Sequence, residues 1–577
     1  MLRAVAFAAV LMLIAAPVHA QTPDDSLTAV YTAEWKWRQS LTGDDSPVPA
    51  HLPDVSPAAQ QAQLKYWQGI ETRLKVIDTA RLSPAGRDTY AVYKAQIDAF
   101  VAAQSFREYE KPFNSDSAFW SDLTYPSADN FHSERDYRNY LSQMGEIPRY
   151  FAQQIDNMKA GEARGFTPPK ITLEGHDASV AAVADLTSAQ DSAFYRPFQS
   201  MPAAIPADVQ AALRAEAVTV IETRVIPAYR TLRIYLRDDY IPHARTALGA
   251  SAYPDGAAYY QSKIREFTTL DLTPEEIHRI GLDQVALIHA QMLDVMREAK
   301  FDGDLPAFLT FLRTDPRFYA KTPQELLDHA AWIAKTFDGK AGQWFGRLPR
   351  ARFGIVPVPA DIAPFYTAGR GGPDGYLVNT YDLPSRPLFQ LTALTLHESA
   401  PGHSLQMSLA AENTALPEFR RQAYISAYGE GWALYCEYLG QEMGMYETPY
   451  DRFGYLSYQM WRAARLVVDT GIHSMGWTRE QARQYLRDNT ALSEHEIDTE
   501  VDRYISWPGQ ALSYYLGEMA IRDARAKAEK ALGPKFNIRA FHDAVLETGS
   551  VPLPVLTAHI DAFIANGGVG PYPDEEK

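Results

Sequence analysis

The sequence predicts a mostly all-α protein, and three observations predict it. Helix starts of the form Ser-Pro or Thr-Pro recur, each followed by apolar residues at three- and four-residue spacing. Strand-like character is scarce before residue 352. A short stretch at 353–381 then breaks the texture with β-branched residues interrupted by Pro and Gly, so a small sheet is expected there.

From residue 24 to about 347 the pattern is helix after helix. Ser56-Pro57 opens one, with Ser as N-cap and Pro in the first turn, and Leu64, Trp67, Ile70, Leu74 and Ile77 follow at helical spacing. Ser83-Pro84 opens a second in the same way. A third spans 134 to about 159, followed by a polar connection at 161–169. Residues 206–240 read as a long helix, with a kink or break at Val225-Ile226-Pro227, where proline removes a backbone donor. Thr273-Pro274-Glu275-Glu276 is a capping box leading into Ile277, Ile280, Val285, Ile288 and Met292. Tyr90, Tyr93 and Tyr109 read as core.

Residues 353–358 and 375–381 read as strands, and the glycine-rich 368–375 between them as a turn. It is no phosphate loop, because no Gly-Lys-Ser/Thr follows and a strand comes next. The second strand lies just ahead of a histidine-bearing helix. Its free edge is expected to pair with an extended peptide, with Tyr376 and Asn379 as substrate-binding candidates. Helices then resume: 388–412 with an internal break, a segment started by Pro417, 451 to about 472, a restart near Thr478, and one started by Pro508.

With 577 residues, 46% of them hydrophobic, the chain can bury a large core. Residues 1–20 read as a signal peptide: Arg3, an apolar run at 4–16, and Val18-His19-Ala20, with cleavage after Ala20. Residues 21–577 are expected to form a single helical domain, an N-terminal helical part to about 350 and a part from about 351 that carries the site. The only cysteine is Cys436, which leaves no lipobox cysteine near the cleavage site and no intrachain disulfide. A periplasmic or secreted protein, off the membrane after cleavage, is expected. Without Arg3 the chain has 54 basic against 71 acidic residues, a net charge of −17. That balance argues against nucleic acid and anionic membrane as partners.

The chemistry centres on His397-Glu398-Ser399-Ala400-Pro401-Gly402-His403. It begins like the zinc-peptidase motif H-E-x-x-H, in which two histidines bind zinc and the glutamate deprotonates a water. The spacing here is wider. Six residues rotate an unbroken helix by roughly 600°, leaving the second ring about 120° off the face of the first. Pro401 has no N–H for the carbonyl of His397, and Gly402 relaxes the backbone, so the pair reads as a bulge that restores the face. A third ligand is expected on another helix, and Glu430 stands at a suitable distance between Gly429 and Gly431, where bulk beside the metal would be absent. One zinc per chain on His397, His403 and Glu430 would leave a fourth position for water, with Glu398 as general base. Tyr514, Tyr515 and His473 are candidates for the oxyanion donor, and Arg503 for binding a substrate carboxylate. Gly402-His403-Ser404-Leu405-Gln406 fails the G-x-S-x-G pattern, and Cys436 reads as a buried thiol.

Four stretches, 397–403, Glu430-Gly431-Trp432-Ala433, 469–477 and 500–517, together resemble the bacterial family catalogued as domain of unknown function 885. That family in turn resembles the helical zinc peptidases: the thimet oligopeptidase, angiotensin-converting enzyme and Taq-type carboxypeptidase groups. The resemblance implies a two-lobed, almost all-helical fold with a deep central cleft and a small sheet beside the zinc helix. It also implies that the two histidines, the general base and the downstream glutamate fall on His397, His403, Glu398 and Glu430. The catalytic tyrosine would fall on Tyr514 in preference to Tyr515, which is then left as a substrate-binding candidate. A deep cleft implies short peptides as substrates, for a carboxypeptidase or oligopeptidase. Two other functions use the same residues: a zinc amidase or esterase on a non-peptide acyl bond, and a peptide-binding protein without turnover.

Overall fold

Helices begin where a side chain can satisfy the first backbone amides, which have no partner inside the helix. In the computed structural model Ser56 Oγ accepts the Ala59 N–H at 3.3 Å, opening Pro57–Lys75. Ser83 Oγ accepts the Gly86 N–H at 2.9 Å, opening Pro84–Phe106. Thr273 and Glu276 exchange bonds at the head of Pro274–Glu298. Each such cap contributes about 1 kcal/mol, and all three lie at the sequence-predicted residue. The structure describes residues 22–41, 48–115, 117–121, 123, 131–360 and 363–574. The expected signal peptide lies outside them.

The described residues are mostly helical, with one three-stranded sheet in the order β1-β3-β2. β1, Gly354–Pro357, runs parallel to β3, Gly375–Val378, and β2, Gly369–Gly371, pairs antiparallel with β3. The glycine-rich segment read as a turn therefore contains a strand, with the reversal confined to 372–374. Two strands flank β3, so it lacks the free edge expected for pairing with a peptide. No described helix is long and apolar enough to cross a membrane.

The 206–240 helix does not break at Pro227. It continues from Ala207 to Tyr240 with two π turns, Ile221–Val225 and Leu236–Tyr240, each ending two residues before a proline. A wider turn there absorbs a residue that cannot donate and crowds the preceding backbone. This helix and Glu134–Ala163 enclose one apolar cluster, built around Phe151, Tyr229 and Leu232. The larger cluster runs through the rest of the molecule and surrounds Pro449–His473. Every residue of that helix from Phe453 to His473 is buried, including Arg462, Arg465 and Asp469, so it forms an axle inside the fold. Pro274–Glu298 and Leu388–Glu398 pack directly on it. At the C-terminal end, Pro508-Gly509 turns the chain instead of opening a helix. Gly509 has φ +82°, and Ser513–Leu532 begins only after the single turn Gln510–Leu512.

Candidate metal centre

The two histidines do not share one bulged helix. Leu388–Glu398 ends outright, residues 399–402 leave helical geometry, and His403 opens a second helix, His403–Glu412. Gly402 N donates to Leu396 O at 3.0 Å, folding the link tightly under the end of the first helix. A Cβ on Gly402 would stand 1.9 Å from His397 O, so only glycine fits. Trp432 Nε1 donates to Pro401 O at 2.9 Å, tying the link to the helix Ser426–Glu442 that carries Glu430.

This break brings the three expected ligands together. Glu430 Oε2 lies 3.6 Å from His397 Nε2 and 3.3 Å from His403 Nε2. Donors about 2.0–2.1 Å from a tetrahedral zinc stand roughly 3.3–3.4 Å from one another, so the spacing fits such an ion. Glu398 joins the same group, with ligand-type atoms of His397, Glu398 and His403 within 4.8 Å. Its Oε2 accepts the Gly371 N–H at 2.6 Å, so β2 orients the carboxylate. Glu162, Asp239 and His243 also cluster, but His243 is exposed and bonds locally to Asp239.

The electrostatics of the cluster would suit a cation. Burial by itself would depress His397, but hydrogen bonds to Glu430 and Glu437 outweigh it and raise the ring to about 10. Burial pushes Glu430 the other way, upward, yet His403 and His397 hold its carboxyl well below the usual range. A bound divalent cation would take the place of those imidazole protons. His397 Nδ1 lies 2.8 Å from Glu437 Oε1, the carboxylate–histidine arrangement that fixes the metal-binding tautomer. Arg462 Nη2 in turn stands 3.4 Å from that oxygen.

The glycines beside Glu430 serve packing and do not clear space for a metal. A Cβ on Gly429 would lie 2.3 Å from the Tyr424 ring, and one on Gly431 2.4 Å from the Gly517 backbone. Gly431 thus lets Ser426–Glu442 and Ser513–Leu532 meet backbone to backbone.

The sequence profile of a bacterial protein family of unknown function, DUF885, matches residues 38–560. The chain belongs to that family. A solved structure described as "the putative lipoprotein from Colwellia psychrerythraea" superposes with a TM-score of 0.86 at 26% identity, covering 95% of this chain and 100% of that one. A second, described as "a putative lipoprotein of unknown function from Shewanella oneidensis", gives 0.66 at 17% identity over 93% and 99%, a likeness of fold alone. No curated protein matches the chain significantly.

In this DUF885 chain the ligand group opens onto a cavity of about 1280 Å³. Its walls come from both halves of the sequence: Pro84–Phe106 and residues 262–271 on one side, the ligand-bearing helices on the other. Tyr514 and Arg503 line it. The Tyr514 ring stacks on His397 with centroids 6.5 Å apart. Its hydroxyl oxygen accepts from Arg503 Nη2 at 3.2 Å and Gln510 Nε2 at 3.4 Å, which directs its own proton elsewhere.

Four predicted residues fall outside the cavity. Tyr515 points away and donates to Gln284 Oε1 at 3.1 Å. His473 is fully buried, with Nδ1 accepting from Ala250 N and Nε2 donating to Tyr504 O, and burial pushes its pKa down to about 3. It is a neutral strut between segments and not an oxyanion donor. Tyr376 and Asn379 are buried behind the sheet, and Asn379 Nδ2 donates to the carbonyls of Ala363 and Tyr366. Neither side chain can meet a substrate. Cys436 is buried, and burial raises its thiol well above the ordinary value.

Sequence reasoning missed Glu437 and Tyr424. Glu437 was within reach, because it lies seven residues after Glu430 and two helical turns return it to the same face. Tyr424 Oη donates to Glu430 Oε1 at 3.0 Å, leaving Oε2 turned toward the histidines. It sits in the connection ahead of the helix, where no periodicity marks it.

Proposed function

We propose that this DUF885 protein is an exported, zinc-dependent metallopeptidase that hydrolyses short peptides. The observation that carries the reading is the convergence of His397, His403 and Glu430 on one point of a large cavity, with Glu398 held beside them. It supports kinship with the helical zinc peptidases, as do the helical fold, the small sheet next to Leu388–Glu398 and cavity walls drawn from both halves of the chain. The reading of residues 1–20 as a signal peptide supports export, as does the word lipoprotein in the descriptions of both solved relatives.

His397, His403 and Glu430 would hold the zinc ion, which would supply Lewis acidity to a water molecule and a substrate carbonyl. The chain's own residues do the rest. Gly371 N–H fixes one oxygen of Glu398, and the other takes a proton from the attacking water. Glu398 then delivers that proton to the leaving amine nitrogen as the C–N bond breaks. Tyr514, whose oxygen already accepts two hydrogen bonds, would donate a hydrogen bond to the oxygen of the attacked carbonyl and keep its proton. The outer edge of β2, beside Glu398, is where an extended peptide would add as a strand.

The test combines metal content and turnover. Wild-type protein should carry about one zinc per chain and Glu430→Ala should lose it. Glu398→Gln should keep the metal while peptide hydrolysis falls by at least about 100-fold. Metal-free wild-type protein, or a Glu398→Gln variant with unchanged turnover, would remove the reading. A panel of peptides, amides and esters separates peptidase from amidase or esterase action.

A further inference from the structure

We infer that Phe267 and Trp507 form a subsite for an aromatic or large aliphatic side chain of the substrate, a few residues from the attacked bond. This rests on the peptidase reading and narrows it to peptides with an apolar residue at one fixed position. The two rings meet edge to face, with centroids 6.1 Å apart and planes at 83°, and both line the cavity onto which the ligand group opens. Both are partly exposed, and neither belongs to the two apolar clusters of the described residues. Packing of the core therefore does not account for them, and a side chain that takes their faces out of water is bound favourably. The backbone builds the corner. Phe267 lies one turn after Lys263 on the helix Gly256–Thr268, and Gly509 packs against that lysine. A Cβ on Gly509 would stand 3.1 Å from the Lys263 carbonyl carbon, so the chain comes close enough to set Trp507, two residues earlier, against Phe267.

Position supplies the second argument. Gln510 N donates to Trp507 O at 3.4 Å, Gln510 Nε2 donates to Tyr514 Oη at 3.4 Å, and the Tyr514 ring stacks on His397. One glutamine and one tyrosine thus separate the corner from the ligand group. An extended peptide advances about 3.3–3.6 Å per residue and crosses that span in about four residues. Charge decides the class of side chain. A pair of rings can also cradle a cation, but cations of the chain already stand over both. Lys263 Nζ is 5.4 Å from the Phe267 centroid, and the Arg503 guanidinium is 5.7 Å from that of Trp507. A cationic side chain would meet like charge there. An anionic one would meet Glu108 and Glu266, the carboxylates that hold Lys263. An uncharged apolar side chain meets neither penalty.

Alanine peptides carrying a single Phe, moved one position at a time, test the subsite with wild type, Trp507→Ala, Trp507→Phe and Phe267→Ala. At one position, within about four residues of the cleaved bond, Phe should raise kcat/KM about 10- to 100-fold over the all-alanine peptide, whereas Lys or Asp there should not. Trp507→Ala and Phe267→Ala should each remove most of that gain, and Trp507→Phe should keep part of it. A flat scan in wild type, or a gain that both alanine variants leave intact, would overturn the subsite and leave the peptidase reading standing. If no peptide is cleaved, the peptidase reading fails, and calorimetric titration of wild type with the same peptides decides the subsite. Tighter binding of one Phe peptide by that factor, lost in Trp507→Ala, supports it; affinities equal to that of the all-alanine peptide overturn it.

Discussion

The side chains behind the ligands set how well each ligand is aimed. Glu437 holds His397 through Nδ1, and Tyr424 holds Glu430 through Oε1, so each restrains a candidate ligand from behind. Partners of this kind are worth about 10–100-fold in metal affinity. Glu437→Gln and Tyr424→Phe should each weaken zinc binding in that range, measured by competition with a chelator, and unchanged affinity in both would deny them the role. The candidate ligand residues themselves were legible because their type and order in the chain are local information. Tyr424 was not, because its link to Glu430 closes through a loop and depends on the room left at Gly429.

Helix contacts decide which face of each element meets the cavity. At Gly431 and Gly517 two helices touch backbone to backbone, and a Cβ on Gly517 would lie 1.9 Å from Ala427 O. Gly431→Ala should destabilise the protein by about 3 kcal/mol in denaturant unfolding, because neither backbone can yield without moving a helix that bears site residues. A loss under about 0.5 kcal/mol would mean that the contact is loose. The same packing chooses between the adjacent tyrosines, placing Tyr514 on the cavity and turning Tyr515 toward Gln284. Helix starts needed no such contacts, because a cap bond spans three residues and can be read from Ser, Thr and Pro in order.

Over the whole molecule, buried titrating groups tie stability to pH. His542 lies between the Tyr435 hydroxyl and the Trp344 carbonyl, and burial pushes it down to about 3, as it does His473. Both values lie below the 6.5 of an exposed imidazole, so below that pH the unfolded chain takes up protons that the folded chain refuses. Each histidine's contribution is therefore intact above pH 6.5 and lost as the pH falls toward 3, by about 1.4 kcal/mol per unit. Burial raises Asp469 to about 7 and Glu518 to about 8, which carries the opposite sign in the same window. The informative quantity is thus a difference between proteins. Between pH 7 and pH 5, His542→Gln should gain about 2 kcal/mol relative to wild type in denaturant unfolding, and a pH-independent gap would contradict the assignment.

Sequence alone determined the helical class, the positions of the capped helix starts, the small sheet after residue 352 and the residue types able to hold a metal. These rest on interactions spanning three to seven residues or on side-chain chemistry. Tertiary structure decided the rest. It split the 388–412 helix at Gly402, enclosed β3 between two strands, buried Tyr376, Asn379 and His473, and set Arg465 and Arg503 on one carboxylate. Each of those outcomes depends on residues distant in the chain competing for the same few ångströms, and no local pattern records which of them wins.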